Sequence, residues 1–144
     1  MIEQDTVKLL RECDAGLRMG MSSIDQVLDK VRSQPMKASL ENSRRAHDRL
    51  ESECTDQLHR CGDSGKAPSP VAEGMSWVKT NVKLAFDGDD ACIAELMTDG
   101  CSMGIKSLSR YLNQYPAADS RSRELTRRVI GLEKELAQEM QSYL

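Results

Sequence analysis

Residues 7 to 31 read VKLLRECDAGLRMGMSSIDQVLDKV. Within this stretch Val7, Leu10, Asp14, Leu17, Met21, Ile24, Leu28 and Val31 are separated by steps of three and four in strict alternation. That spacing is the seam of a long helix packed along its whole length against other helices. One member breaks the pattern, since Asp14 places a carboxylate where a hydrophobe is expected. Three roles are open to it: a metal ligand, a tethered structural acid, or a surface residue slightly off the seam.

The rest of the chain repeats the pattern. Ser33-Gln-Pro35 interrupts a first helix over Asp5 to Arg32 and starts a second, with Ser33 or Gln34 near the N-cap and Pro35 in the first turn. So short a connection makes the two helices antiparallel neighbours. The second stripe reads Met36, Leu40, Ser43, His47, Leu50, Cys54, Leu58 and Cys61, and the helix stops at Gly62. Gly62 to Ser69 is the clearest loop. Ser69-Pro70 then opens a short amphipathic helix carrying Val71, Met75, Val78, Val82 and Phe86, with Trp77 alongside. Asp89 and Asp90 start a third long helix, with Ile93, Leu96, Met97, Cys101, Met103, Ile105, Leu108 and Leu112 as its apolar positions. Asn113 to Tyr115 is a tight connection, and Pro116 begins a fourth helix whose seam is Leu125, Val129, Leu132, Leu136, Met140 and Tyr143. Its expected outer face includes Arg121, Arg123, Arg127, Arg128, Glu133, Lys134 and Glu135.

Composition agrees with a helical bundle. Aromatic residues are 3% of the 144, too few for a β-sandwich, and the length suits a single domain spanning 1–144. A formal charge of -3 gives no reason to expect nucleic acid or an anionic membrane. No apolar run approaches the ~20 residues of a membrane span, and the N-terminus lacks a basic start and apolar core. The expected location is the cytoplasm. The five cysteines form no C-x-x-C pair, which argues against zinc knuckles and disulfide frameworks and for small buried side chains kept reduced.

The two hairpins are joined by residues enough to run the length of the bundle: about 24 Å of helix plus about 25 Å of extended chain. Two antiparallel pairs joined by one long crossover is the ferritin-like arrangement. With that layout the chain resembles the ferritin-like superfamily, closest to its small bacterial members that carry a helix within the crossover. The resemblance rests on Ser69-Pro-Val-Ala-Glu-Gly-Met-Ser-Trp77, the Asp-Gly-Asp-Asp turn at 87–90, and Tyr111-Leu-Asn-Gln-Tyr-Pro116.

A di-iron centre in that fold takes a carboxylate from each of two helices and an E-x-x-H pair from each of the others. Here the first half offers Asp14 and Glu51-Ser-Glu-Cys54, while the second half has no histidine at all. An intact di-iron site is therefore not expected. A smaller site of Asp14, Glu51 and Cys54 with His47 suits zinc or ferrous iron by ligand type. The competing reading has His47 bonded to Ser43 or a backbone carbonyl, and Asp14 paired with Arg11, Arg18 or Arg45. The leading functional expectation is a non-catalytic bundle with a degenerate di-metal site and no cofactor, acting as a homo-oligomer (a dimer) or on another protein. Trp77 is the candidate partner-binding residue. The alternative is an iron- or zinc-binding or redox protein using Asp14, His47, Glu51 and Cys54.

Overall fold

A computed structural model of the chain describes residues 4–62 and 89–144. The predicted crossover helix and Trp77 lie outside the described residues. Among those described, the chain forms four long α-helices and no strand: α1 Gln4–Val27, α2 Gln34–Arg60, α3 Asp90–Gln114 and α4 Ser120–Gln141. None of them is long and apolar enough to cross a membrane.

The helix ends follow local chemistry. The last turn of the first helix tightens to a 3₁₀ turn at Leu28–Lys30. Ser33 then caps α2, its Oγ accepting the Met36 N–H, with Pro35 in the first turn where its missing N–H costs nothing. Gly62, at φ 74°, takes the left-handed position that ends α2. Asp89 caps α3 by accepting from Cys92 N–H, as the Asp pair predicts. The fourth helix departs from expectation. It starts at Ser120 rather than Pro116, because the Asp119 side chain accepts from Ser122 N–H and makes the stronger cap.

α1 packs on α2 and α3, and α4 packs on α2 and α3, with α1 and α4 also touching across the middle. Each end of the bundle is tied by side chains to backbone. At one end the Asp90 carboxylate accepts the N–H groups of Arg32 and Ser33, both at 2.8 Å, fastening the start of α3 to the α1–α2 turn. At the other, Asp5 accepts from Ala117 N–H and Thr6 Oγ1 from Asp119 N–H at 2.8 Å. The end of α2 and the start of α3 therefore lie at opposite ends of the bundle.

Two apolar clusters fill the core. One gathers Ile24, Val27, Met36, Leu40, Ile93, Met97, Leu136 and Met140, the other Leu10, Leu17, Leu50, Leu58, Leu108, Leu125 and Val129. The α2 stripe is buried as read from Met36 to Leu58, including Ser43 and His47. Met103, expected inside, is 44% exposed, because the α3 seam runs through Met97, Cys101 and Leu108 on the opposite side. None of the five cysteines is in a disulfide; Cys13, Cys54 and Cys101 are buried, whereas Cys92 in the first turn of α3 is exposed.

Candidate functional site

Between the two apolar clusters each helix contributes to one polar layer: Gly20 from α1, His47 from α2, Cys101 and Gly104 from α3, and Glu133 from α4. His47 is fully buried, with Nδ1 2.7 Å from the Ser43 carbonyl oxygen and Nε2 2.7 Å from Glu133 Oε1. A carbonyl oxygen can only accept, so Nδ1 carries a proton. Nε2 and the Glu133 carboxyl then share a second, making the pair imidazolium–carboxylate or its neutral tautomer. Burial alone would lower the basicity of His47. The hydrogen bond and charge of Glu133, with the Ser43 carbonyl, outweigh it and raise the ring above its ordinary 6.5. The ring therefore holds its proton to higher pH than a free histidine does.

Glycine at position 20 is what lets the ring lie there. A Cβ on Gly20 would stand 2.7 Å from His47 Nε2 and 2.8 Å from its Cδ2. Cys101 hydrogen-bonds to Glu133, and burial together with that carboxylate pushes its thiol up, so it stays protonated.

A second polar cluster lies between α1 and α2, toward the end where α1 begins. Asp14 is buried and accepts from Arg18 Nε at 3.1 Å, and the same Nε is 3.2 Å from Glu51 Oε1. Burial and the neighbouring Asp14 carboxyl push Glu51 up to about 8. Its Oε2 is buried with no hydrogen-bond partner, and the closeness of Asp14 to the carboxyl favours a proton held between the two acids. Beside them Cys54 donates to the Leu10 carbonyl at 3.2 Å, and burial pushes its thiol up. Thr126 gives its hydroxyl hydrogen to the Ser122 carbonyl, so Cys13 is the donor in its 3.0 Å contact with Thr126. Burial pushes the Cys13 thiol up to about 12.

The four residues singled out in the sequence thus fall into two groups. Asp14, Glu51 and Cys54 come together; His47 belongs to the other layer, two turns away along α2. Among the described residues no three His, Cys, Asp or Glu side chains are arranged to hold a metal ion. Of the partners foreseen, Asp14 takes Arg18, and His47 takes the backbone carbonyl of Ser43.

Glu133 is the correction. Expected on the outer face, it is 9% exposed and faces His47. The α4 seam runs through Ser122, Leu125, Val129, Glu133, Leu136 and Met140, leaving Leu132 at its margin. A histidine in an apolar stripe needs an acceptor for each protonated nitrogen, and Glu133 is in helical step with Val129 and Leu136. That was the signal available. The basic start of α4 also finds an internal use: Arg123 Nη1 donates to the Leu112 and Tyr115 carbonyls at the end of α3, and Arg128 pairs with Glu53 at 2.7 Å.

No protein-family model, curated protein or solved structure matches the chain.

Proposed function

We propose that the chain is a ferritin-like bundle with a degenerate di-metal site, working in the cytoplasm as a non-catalytic homodimer or protein-binding module. The layout supports the first part: two antiparallel pairs, with the end of α2 and the start of α3 at opposite ends of the bundle. One observation carries the second. The polar side chains inside the bundle are spent on one another, His47 on Ser43 and Glu133, Asp14 on Arg18, and Cys54 on the Leu10 carbonyl. Ligands already engaged in this way must lose those partners before binding a cation.

A specific feature favours a second reading, iron or zinc at Asp14 and Glu51 with Cys54: the buried Glu51 Oε2 without a donor. Against it stands the Arg18 guanidinium, which already occupies the cationic position between the two carboxyls. Elemental analysis after anaerobic incubation with iron, manganese and zinc decides between them. The scaffold reading expects no stoichiometric metal, and equal stability losses in Asp14→Ala with and without metal. One metal per chain, abolished by Asp14→Ala, would establish the second reading. Light scattering tests the assembly: a dimer mass that falls in Trp77→Ala supports Trp77 as its anchor, and an unchanged mass removes it.

A further inference from the structure

Between α1 and α3 the bundle holds a cavity of about 310 Å³, at the small end of the range for small-molecule sites. Two pairs of glycines line it, Gly16 with Gly20 on α1 and Gly100 with Gly104 on α3. Each pair is spaced four apart, so the side chains that would close the two helices on each other are missing over a full turn of both. Met19, Met97, Leu108 and Leu136 make the apolar walls, and the His47–Glu133 pair lies at the floor.

Glu133 is the informative member. Oε1 is taken by His47. Oε2 lies 3.7 Å from the point that a Cβ on Gly104 would occupy, so the missing side chain leaves that oxygen on the cavity side. Its bonds to His47 and Cys101 fix the carboxylate before any ligand arrives, which removes part of the ordering cost of binding. Besides the His47–Glu133 pair, the only ionisable acid or base among the described lining residues that carries a charge is Glu12; none of them is a lysine or arginine.

We propose that this cavity binds a small organic ammonium ion, its apolar body against the methionine and leucine walls and its N–H groups donating to Glu133 Oε2. Among the described lining residues an organic anion of the same shape would meet two carboxylates, with His47 as the one basic side chain and that one already paired with Glu133. A neutral apolar molecule would fill the walls and offer the Glu133 carboxylate no hydrogen-bond donor of its own.

The test is calorimetric titration of the full chain with n-octylammonium, n-octanoate and n-octanol. The variants are Gly104→Ala, Glu133→Gln and, as a control for helix glycines, Gly131→Ala, which has nothing within 4 Å of its added methyl. In Gly104→Ala the methyl meets Glu133 only at ordinary contact distances of 3.7 to 3.9 Å, so the fold is retained while the oxygen is covered. The expected result is one n-octylammonium per wild-type chain, no n-octanoate, and weaker n-octanol. Affinity for n-octylammonium should fall at least tenfold in Gly104→Ala and in Glu133→Gln, and stay at the wild-type value in Gly131→Ala. The proposal is overturned if the wild-type chain binds no n-octylammonium or binds n-octanoate as tightly. Wild-type affinity in either Gly104→Ala or Glu133→Gln overturns it too, so one folded variant of the two is enough.

Discussion

At the middle of the bundle His47 and Glu133 meet as donor and acceptor with both ring nitrogens engaged. Toward the end where α1 begins, Asp14 and Glu51 stand carboxyl beside carboxyl with one oxygen unanswered. Both clusters bury ionisable groups, yet the costs differ in kind. The first joins unlike groups from α2 and α4 and encloses them; His47 has no exposed surface, and the Glu133 side chain is 12% exposed. The second joins like groups from α1 and α2 and relies on Arg18, whose side chain is half exposed, for its positive charge. A pair of unlike groups is held together by its charges, and removing one member strands the other in the core. A pair of like groups is held together by a proton, and it loosens when that proton leaves.

The sharpest way to break the comparison is to delete one acid from each cluster. Glu133→Ala leaves His47 Nε2 without an acceptor at a fully buried position, and the expected loss is ~3–5 kcal/mol, read as a lower urea midpoint. Glu51→Ala removes a group that is already largely uncharged and frees Arg18 to serve Asp14 alone. The expected loss there is about 1 kcal/mol. Equal losses would mean that the two clusters are energetically alike and that the distinction drawn from their hydrogen bonds is empty.

The glycines of α1 sharpen the same point. Gly20→Ala forces its methyl into the His47 ring at 2.7 Å, and the overpacking should cost ~1–3 kcal/mol. Gly16, one turn earlier and level with the other cluster, has nothing within 4 Å of an added Cβ. Gly16→Ala should therefore gain up to ~1 kcal/mol from helix propensity alone. Thermal melts of the two alanine variants should shift in opposite directions; a shared sign would show that His47 can move aside.

Much of this was legible in the pattern of residues. The α2 stripe from Met36 to Leu58 placed His47 and Ser43 inside, and Ser33, Pro35, Gly62 and Asp89 marked the helix ends where the structure has them. Asp14 stood out as the one acid on the first seam, with burial as a structural acid among its open roles, and the structure buries it. Glu133 did not, because Leu132 sits one residue away, about 100° round the helix, and hydropathy chooses the leucine. Hydropathy cannot register that a histidine on another helix requires an acid at that level. The same limit hid the end clamps: Asp90, Asp5 and Thr6 look like ordinary helix-start residues, and their partners are backbone N–H groups 57 to 113 residues away.

The sign of the pH dependence follows from the two shifts. Glu51 titrates near 8 in the folded chain against an ordinary 4.5, so between those values the folded state binds more protons than the unfolded state. Stability therefore falls as pH rises through that window. His47 is raised above 6.5, so its contribution is complete below 6.5 and is lost as pH rises through its folded value. Both groups act in one direction. The melting temperature should decline steadily from pH 5 to pH 9, and a flat or rising profile would contradict both assignments.

The smallest effect separates the two clusters most cleanly. Glu51→Gln supplies an amide N–H that can donate to Asp14 at any pH, and an amide oxygen that can still accept from Arg18. At pH 5, where Glu51 already holds its proton, the variant should match the parent within a few tenths of a kcal/mol, since one neutral donor replaces another. At pH 9 the parent has lost that proton and faces Asp14 as a second anion, whereas the amide has not changed. The variant should then be clearly the more stable chain. Glu133→Gln should start from a different place. It removes the anion that raises His47, so its penalty should be greatest at pH 5 and shrink as pH rises through the folded value of the ring. Two glutamine substitutions of equal size would then both move in the variant's favour as pH rises, but from different starting points: Glu51→Gln from neutral to favourable, Glu133→Gln from costly to mild. If Glu51→Gln is already stabilising at pH 5, Glu51 is ionised there and Arg18, not a shared proton, holds the Asp14 cluster together.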